Sequence, residues 1–550
     1  MDLQKDLKQI FRGELSTDED LLTKYSHDAS LFELRPQIVA SPLDSADIKA
    51  IVKYVLEHKK DQPELSLTAR SAGTDMSGAA INDSIIVSMT DHFDRVEELT
   101  ATSARVQPGV YFRDFDKKCA ELKVMLPSYP ASRDLCTIGG MTNNNSGGER
   151  SLEFGKTANF VEELKIVLAD GNEYTMRALK KDELMKKIAQ KDFEGNLYKQ
   201  VFELLEKNYD LIKAAKPPVS KDSTGYHLWD AWDRETGIFD MTKIIVGAQG
   251  TLGLVTDVKF HLVPRKEFTG LLVGYLKNQD RLGEIINTVL KHKPATFESF
   301  DDNTLWLSFK FFPAFIKKLG FWPWVKLAIQ LIPDGLALVK GLPKLILMVE
   351  FNGHSQEEVD AAIDKMKDDL EAYNFTYLEK DGTLEKSNKF WIMRRESFNL
   401  LRSKVKDKHT APFIDDLIVP PPELPAFLPK LRRIIKKYKL LATVAGHMGD
   451  GNFHIIPLMK IEDPHERAKL QPAMKEVNNL VLAHHGSISG EHNDGLVRGP
   501  WLETMYGSDY FNVLKQTKQL FDPLNIFNPH KKTDANWDYS FAHIRQNFDQ

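Results

Sequence analysis

Two runs rich in strand-forming residues, LLATVA and HIIPLM, flank a Gly-Asp-Gly-Asn centre in the stretch GHMGDGNFH, Gly446 to His454, and this pattern reads as an antiparallel hairpin. With Asp450 and Gly451 as the central pair of a type I′ turn, His447 is expected to face His454. A helix would hold two residues seven positions apart on different levels, roughly 10 Å of rise from each other. Opposed hairpin residues have Cβ atoms about 4.5 to 5.5 Å apart, so both imidazoles could reach one ion at about 2.0 to 2.1 Å. The plainer alternative is a polar hairpin whose histidines are hydrogen-bonded or exposed. A third ligand is offered downstream by GSISGEHNDG, where Glu491 and His492 are adjacent. Neighbours on an extended chain point to opposite sides, which lets Glu491 join the ion while His492 turns toward a substrate.

At 550 residues the chain exceeds one compact core, and two or more domains are expected. A hydrophobic content of 42% with 27% charged residues excludes fibrous and disordered classes. With 73 basic against 78 acidic residues and a net charge of −5, nothing draws the chain as a whole to nucleic acid. Cys119 and Cys136 are the only cysteines, too few for a four-cysteine iron–sulfur cluster or a disulfide scaffold. The charged start MDLQKDLKQIFRGELS lacks a signal-peptide core, and no apolar run reaches about 18 residues, so a cytoplasmic location is expected.

Ile48, Ile51, Val52, Val55 and Leu56 fall at helical spacing, with Ser45 as the expected N-cap. The following LSLTARSAGTDMSGAAINDSIIVSMT reads as strand, Gly/Ser loop, strand, which predicts a βαβ-like opening to an α+β or α/β first domain. Thr137 to Phe160 is the stretch densest in glycine and asparagine, and is expected to expose backbone N–H groups that suit phosphate. No GxGxxG opens a βαβ unit, so a nucleotide site would be of another kind than the Rossmann one. From Phe268 long helical patterns such as SQEEVDAAIDKMKDDLEAYN alternate with strands such as LILMVEFNG, which marks a second domain.

These segments together resemble the flavin-dependent 2-hydroxy-acid dehydrogenases of the vanillyl-alcohol-oxidase-like superfamily. The resemblance is carried by YSHDAS (Tyr25 to Ser30), ARSAGTDMSGAA (Ala69 to Ala80), VQPGV, the Gly/Asn loop, GAQGTLGLVT (Gly247 to Thr256), WIMRRES (Trp391 to Ser397), the two histidine stretches and FDPLNIFNP (Phe521 to Pro529). It implies an α+β protein: a two-subdomain FAD-binding domain of the vanillyl-alcohol-oxidase/PCMH type over 1–267, an α+β cap with an antiparallel sheet over 268–500, and a segment 501–550 returning toward the flavin. It further implies FAD contacts from Arg70, Ser71, Ala72, Gly73, Thr74, Ser77, Gly78, Pro130, Ser132, Thr137, Gly139, Gly140, Asn143, Asn144, Ser146, Gly147, Gly148, Gly250, Thr251, Gly253 and Asn528. Ser71 and Ala72 stand where the family more often has two glycines. The loop from Arg70 to Gly78 has no histidine or cysteine, so noncovalent FAD is expected.

By the same resemblance His447, His454 and Glu491 would hold a divalent metal, zinc or manganese, and His492 would be the base, with Asn452 orienting a ligand or substrate or serving only the turn. Arg394 would bind the substrate carboxylate through its guanidinium fork, with Arg395 the neighbouring candidate. Members acting on 2-hydroxyglutarate tend to have asparagine where Ile456 stands, which leans the expectation toward D-lactate. Electrons would leave to a quinone or an electron-transfer protein. An alkylglycerone-phosphate-synthase-type transferase shares the architecture, but its active site has a histidine-rich run unlike GEHNDG.

Phe309 to Lys344 has six lysines and one aspartate, with Phe309, Phe311, Phe312, Phe315, Phe321, Trp322 and Trp324 crowding its first half. Basic, aromatic and broken by proline, this insertion is expected to lie on anionic lipid. The alternative is a helix pair packed in the cap.

Overall fold

The computed structural model describes residues 3–278, 280–301, 343–373, 375–381, 391 and 407–546. Arg394, Arg395 and residues 309–342 of the basic aromatic insertion lie outside the described residues.

The N-terminal half begins with a βαβ unit. Strand Ile38–Ser41, helix Ser45–His58 and strand Leu67–Arg70 place both strands parallel to, and on either side of, Ile85–Ser88. Helix Ser45–His58 buries Ile48, Ile51, Val52 and Val55 against this sheet, the stripe that helical periodicity dictates. Its N-cap is Asp44, one residue earlier than Ser45, because the Asp44 carboxylate accepts from Ala46 N–H. A seven-stranded antiparallel sheet follows, with Val161–Val167 and Leu254–His261 at its centre.

From Phe268 the strands build a third sheet, entirely antiparallel, in the order Phe375–Asp381, Phe268–Leu276, Leu345–Gly353, Thr296–Asp301, Leu441–His447, Asn452–Met459, His409–Thr410. Strand Leu417–Ile418 also pairs with Asn452–Met459. Each sheet has its own apolar core. The final stretch ties them together: Leu496, Val497 and Trp501 join the third core, helix Leu502–Phe521 joins the second, and Ile526 and Phe527 join the first. Among the described residues no helix is long and apolar enough to cross a membrane.

The hairpin Leu441–Met459 forms, in a different register from the expected one. Asn452 opposes His447 and Ala445 opposes His454, so four residues, Met448 to Gly451, make the connection. Gly451 takes a positive φ of 73° and packs so closely on Val419 O that a Cβ would sit 1.9 Å from it. A two-residue type I′ turn gives way to this longer loop, in which Asp450 N–H donates to His447 O and Gly451 N–H to Met448 O.

Candidate functional site

A cavity of about 370 Å³ opens where the loops of the first two sheets meet the third. One wall is the Ser71–Thr74 loop, another the start of helix Ile138–Asn144 with Ser146 and Gly147, and the far end carries His447, His454, Glu491 and His492.

Ser71, Ala72, Gly73 and Thr74 are half-buried, and among the described residues no protein acceptor takes their backbone N–H groups. Such a run of N–H groups facing a cavity is a nest for an anion. Only Gly73 there has a positive φ, 71°, so serine and alanine fit at 71 and 72 without strain, and the missing glycines leave the loop intact. In the Gly/Asn stretch the Gly147 N–H, on the cavity wall, likewise has no protein acceptor among the described residues, whereas the helix start is bonded. Ile138–Asn144 is a short helix capped by Thr137, and the N–H groups of Ile138, Gly139 and Gly140 are already bonded to Val110 O, Pro108 O and Thr137 Oγ1. Its contribution is space: a Cβ at Gly140 would meet nothing closer than 3.6 Å, and one at Gly250 nothing within 4 Å. Both glycines line the cavity, as do Pro130, Ser132, Thr137, Gly139, Asn143, Asn144, Ser146 and Gly147. A shallow glycine floor opposite an unsatisfied N–H loop fits a pyrophosphate-containing cofactor such as FAD.

Seven residues expected at the cofactor stand behind that wall. The Arg70 guanidinium turns away to donate to the carbonyls of Tyr25, His27 and Ala80, and its Cζ lies 4.9 Å from the Tyr25 ring centroid. Ser77 and Asn528 brace the loops through Gln249 and the Ala79 carbonyl, and Thr251 pairs with Tyr226. Gly78, Gly148 and Gly253 are pinned against Phe32, Tyr129 and Val167, where a side chain would collide. Asn452 is also off the cavity. It is fully buried, donating to Asp416 Oδ1 at 3.0 Å and Leu417 O at 3.1 Å.

The histidine hairpin and the 489–495 turn meet at the cavity end. His447 Nε2 lies 3.2 Å from Glu491 Oε1, and His454 Nε2 3.6 Å from Glu491 Oε2. Ligands about 2.0 to 2.1 Å from a tetrahedral ion are roughly 3.3 Å apart, so two imidazoles and a carboxylate are spaced for zinc or manganese with a position left open. His447 Nδ1 donates to Glu298 Oε1 at 2.5 Å, a bond that fixes the orientation of the ring. Burial opposes charge on His447, but the Glu298 carboxylate outweighs it and raises the ring to about 9. Glu491 is held well below the usual carboxylate range, against burial, by the Lys221 ammonium and His447. Lys221 is itself buried, bonded to Glu491 and 3.3 Å from Asp450 Oδ2.

Asp415 and Asp416 sit beneath the turn. Asp416 Oδ2 accepts from Glu491 N–H at 2.8 Å, His492 N–H at 2.7 Å and Ser489 Oγ at 2.6 Å, which fixes the Glu-His backbone. Asp415 Oδ2 accepts from His492 Nδ1 at 2.7 Å. Burial again opposes charge on His492, and Asp415 with Asp416 lifts it to about 9. Sequence reasoning missed Glu298, Lys221, Gln249 and this aspartate pair. Only FIDDLIVP carried a signal, two adjacent acids inside an apolar run.

Residues 36–177 match the FAD binding domain family and residues 271–532 match the C-terminal domain of FAD linked oxidases. The chain is 28% identical over 528 residues to a D-2-hydroxyglutarate dehydrogenase of Pseudomonas putida, covering 95% of this chain and 50% of that protein. It thus spans about half the length of that relative. A D-lactate dehydrogenase of Archaeoglobus fulgidus is 24% identical, with 90% of each chain covered. Among solved structures, p-cresol methylhydroxylase with substrate bound superposes with a TM-score of 0.64 at 14% identity, covering 96% of this chain and 95% of that one, a likeness of fold.

Proposed function

The chain belongs to the FAD-linked oxidases, and from that membership we propose that it oxidises a D-2-hydroxy acid to the 2-oxo acid, with electrons leaving to a quinone or an electron-transfer protein. The observation that carries this reading is the convergence of His447, His454 and Glu491, with His492 beside them, at one end of the cavity whose other walls suit FAD. When bound, FAD supplies the hydride acceptor and a divalent ion the Lewis acid that acidifies the substrate hydroxyl.

The chain's own residues supply the rest. His447, His454 and Glu491 would hold the ion, and Glu298 and Lys221 keep two of them in place. His492 takes the hydroxyl proton as general base. Without an ion it is held protonated by its aspartates up to about 9, and the neutral ring that the base role requires is favoured beside a divalent cation. Ala445 and Ile456 line the same end, and no lysine or arginine lines the cavity among the described residues. The apolar wall they make supports a small substrate of the D-lactate kind. Arg394 remains our choice for the single carboxylate, and delivery to a membrane quinone through 309–344 remains our reading of that insertion.

Anaerobic mixing with a panel of D- and L-2-hydroxy acids, with and without a chelator, tests the proposal. Bleaching of the flavin by D-lactate, lost on chelation, is the expected result. Failure of every hydroxy acid to bleach it would favour a non-redox transferase, and bleaching indifferent to chelation would remove the metal from the scheme. Flotation with anionic vesicles, before and after deletion of 309–344, tests the membrane part.

A further inference from the structure

We propose that Asn144 and Gln249 are positioning residues that couple the two ends of the cavity, so that FAD bound along the loops tightens the hold of His447, His454 and Glu491 on a divalent ion. The inference rests on the reading of the site given above. Glu491 belongs to the turn 489–495, whose backbone hangs from side chains of distant segments. Asp416 accepts from the N–H groups of Glu491 and His492, Lys156 Nζ donates to Gly490 O at 2.9 Å, and Arg498 Nη1 donates to Asn493 O at 3.0 Å. None of these three residues lines the cavity. Two further anchors do: Asn144 Nδ2 donates to Glu491 O at 2.9 Å, and Gln249 Oε1 accepts from Gly495 N–H at 2.9 Å.

Both anchors reach back into the walls that suit FAD. Asn144 ends helix Ile138–Asn144, and its own carbonyl accepts from Asn493 Nδ2 at 3.2 Å, so helix and turn clasp each other from both sides. Gln249 N–H donates to Asn143 O at 2.8 Å and Gln249 Nε2 to Ser77 Oγ at 3.1 Å, which ties the same turn to that helix and to the end of the Arg70 to Gly78 loop. Gln249 does this from a left-handed backbone, φ 53°, which a residue with a Cβ keeps only where its surroundings hold it. The unsatisfied N–H groups of Ser71–Thr74 and Gly147 gain partners on a pyrophosphate, which orders the walls to which these two side chains belong. A turn hung on ordered walls keeps the Glu491 carboxylate where both imidazoles meet it. The ion then no longer bears that ordering cost, and the two ligands bind cooperatively without touching.

Calorimetric titration of the full chain with zinc, FAD-free and FAD-loaded, tests the coupling. Zinc should bind about fivefold or more tighter with FAD in place, and by linkage FAD should gain the same factor from zinc. Asn144→Ala and Gln249→Met should each lower that ratio, and together bring it below about twofold. Residues that merely supported the fold would weaken both ligands and leave the ratio unchanged, so a parental ratio in the double variant overturns the proposal. The parent alone also decides it, because equal zinc affinity with and without FAD refutes any coupling. His454→Ala should weaken the zinc measured here by about 100-fold, and uptake indifferent to that change places the ion elsewhere and ends the proposal. Should no hydroxy acid reduce the flavin, the proposed reaction falls while these titrations still decide the roles of Asn144 and Gln249.

Discussion

His447 and His454 are diagonal rather than opposed partners on the hairpin, two positions out of register on one face, and their rings stand edge to face with centroids 5.3 Å apart. A diagonal pair is within reach of long side chains, so the shift in register costs the site nothing. His454→Ala should lower zinc affinity by about 100-fold or more while the hairpin, held by its ladder, survives. Competition with a chromophoric chelator measures it, and parental affinity would show that the ion sits elsewhere.

Glu298 holds His447 from the next strand at 2.5 Å. Glu298→Gln preserves size but weakens the bond that orients the ring. Zinc affinity should drop by about 10- to 100-fold, with His454→Ala removing most of what remains. An unchanged dissociation constant would deny Glu298 its orienting role.

Lys221 is the buried cation between Glu491 and Asp450. Lys221→Met strands both carboxylates in the interior, and the metal-free protein should lose about 3 to 5 kcal/mol. A divalent ion replaces the missing charge on Glu491, so zinc should raise the melting temperature more in the variant than in the parent. Calorimetry with and without zinc reads both, and an equal zinc shift in the two proteins argues that Lys221 and the ion do not share Glu491.

Zinc uptake should depend on pH. The metal-free His447 ring stays protonated up to about 9, and a proton on the ring competes with the ion. Affinity therefore rises with pH below 9, by about tenfold per unit where one proton is released, and levels off once the ring is neutral. Titrations between pH 6.5 and 9.5 should show that slope, and a flat profile contradicts a protonated His447.

At Gly140 an added side chain projects into the cavity without striking protein, its Cβ having no neighbour closer than 3.6 Å. Gly140→Val should cut FAD affinity by about tenfold or more through lost room, with the melting temperature of the FAD-free protein nearly unchanged. Equilibrium dialysis against FAD checks it. Unaltered binding would place the cofactor away from helix Ile138–Asn144.

Much of this was legible in the linear chain because it is local. The apolar periodicity of helix Ser45–His58, the strand runs either side of Asp450 and Gly451, and the adjacency of Glu491 and His492 are short-range patterns that physics reads directly. Residue types named the chemistry, since two imidazoles beside a carboxylate suit few other tasks. The glycine and asparagine loop was harder: its composition signalled a floor for a ligand, but whether its N–H groups were free depended on Val110 and Pro108, far back in the chain.

The sequence alone determined which side chains could serve as ligands and base, and where the helix Ser45–His58 and the two hairpin strands would form. Tertiary structure decided the hairpin register, in which Gly451 packs against Val419 where no side chain fits, and it decided which loop N–H groups stay unsatisfied at the cavity, those of Ser71–Thr74 and Gly147. It also recruited Glu298, Lys221 and Asp415, each at least 70 positions from some ring or carboxylate it holds. The physical reason is that a buried charge is tolerable only beside its partner, and partners so distant in sequence are chosen by packing, which no local pattern encodes.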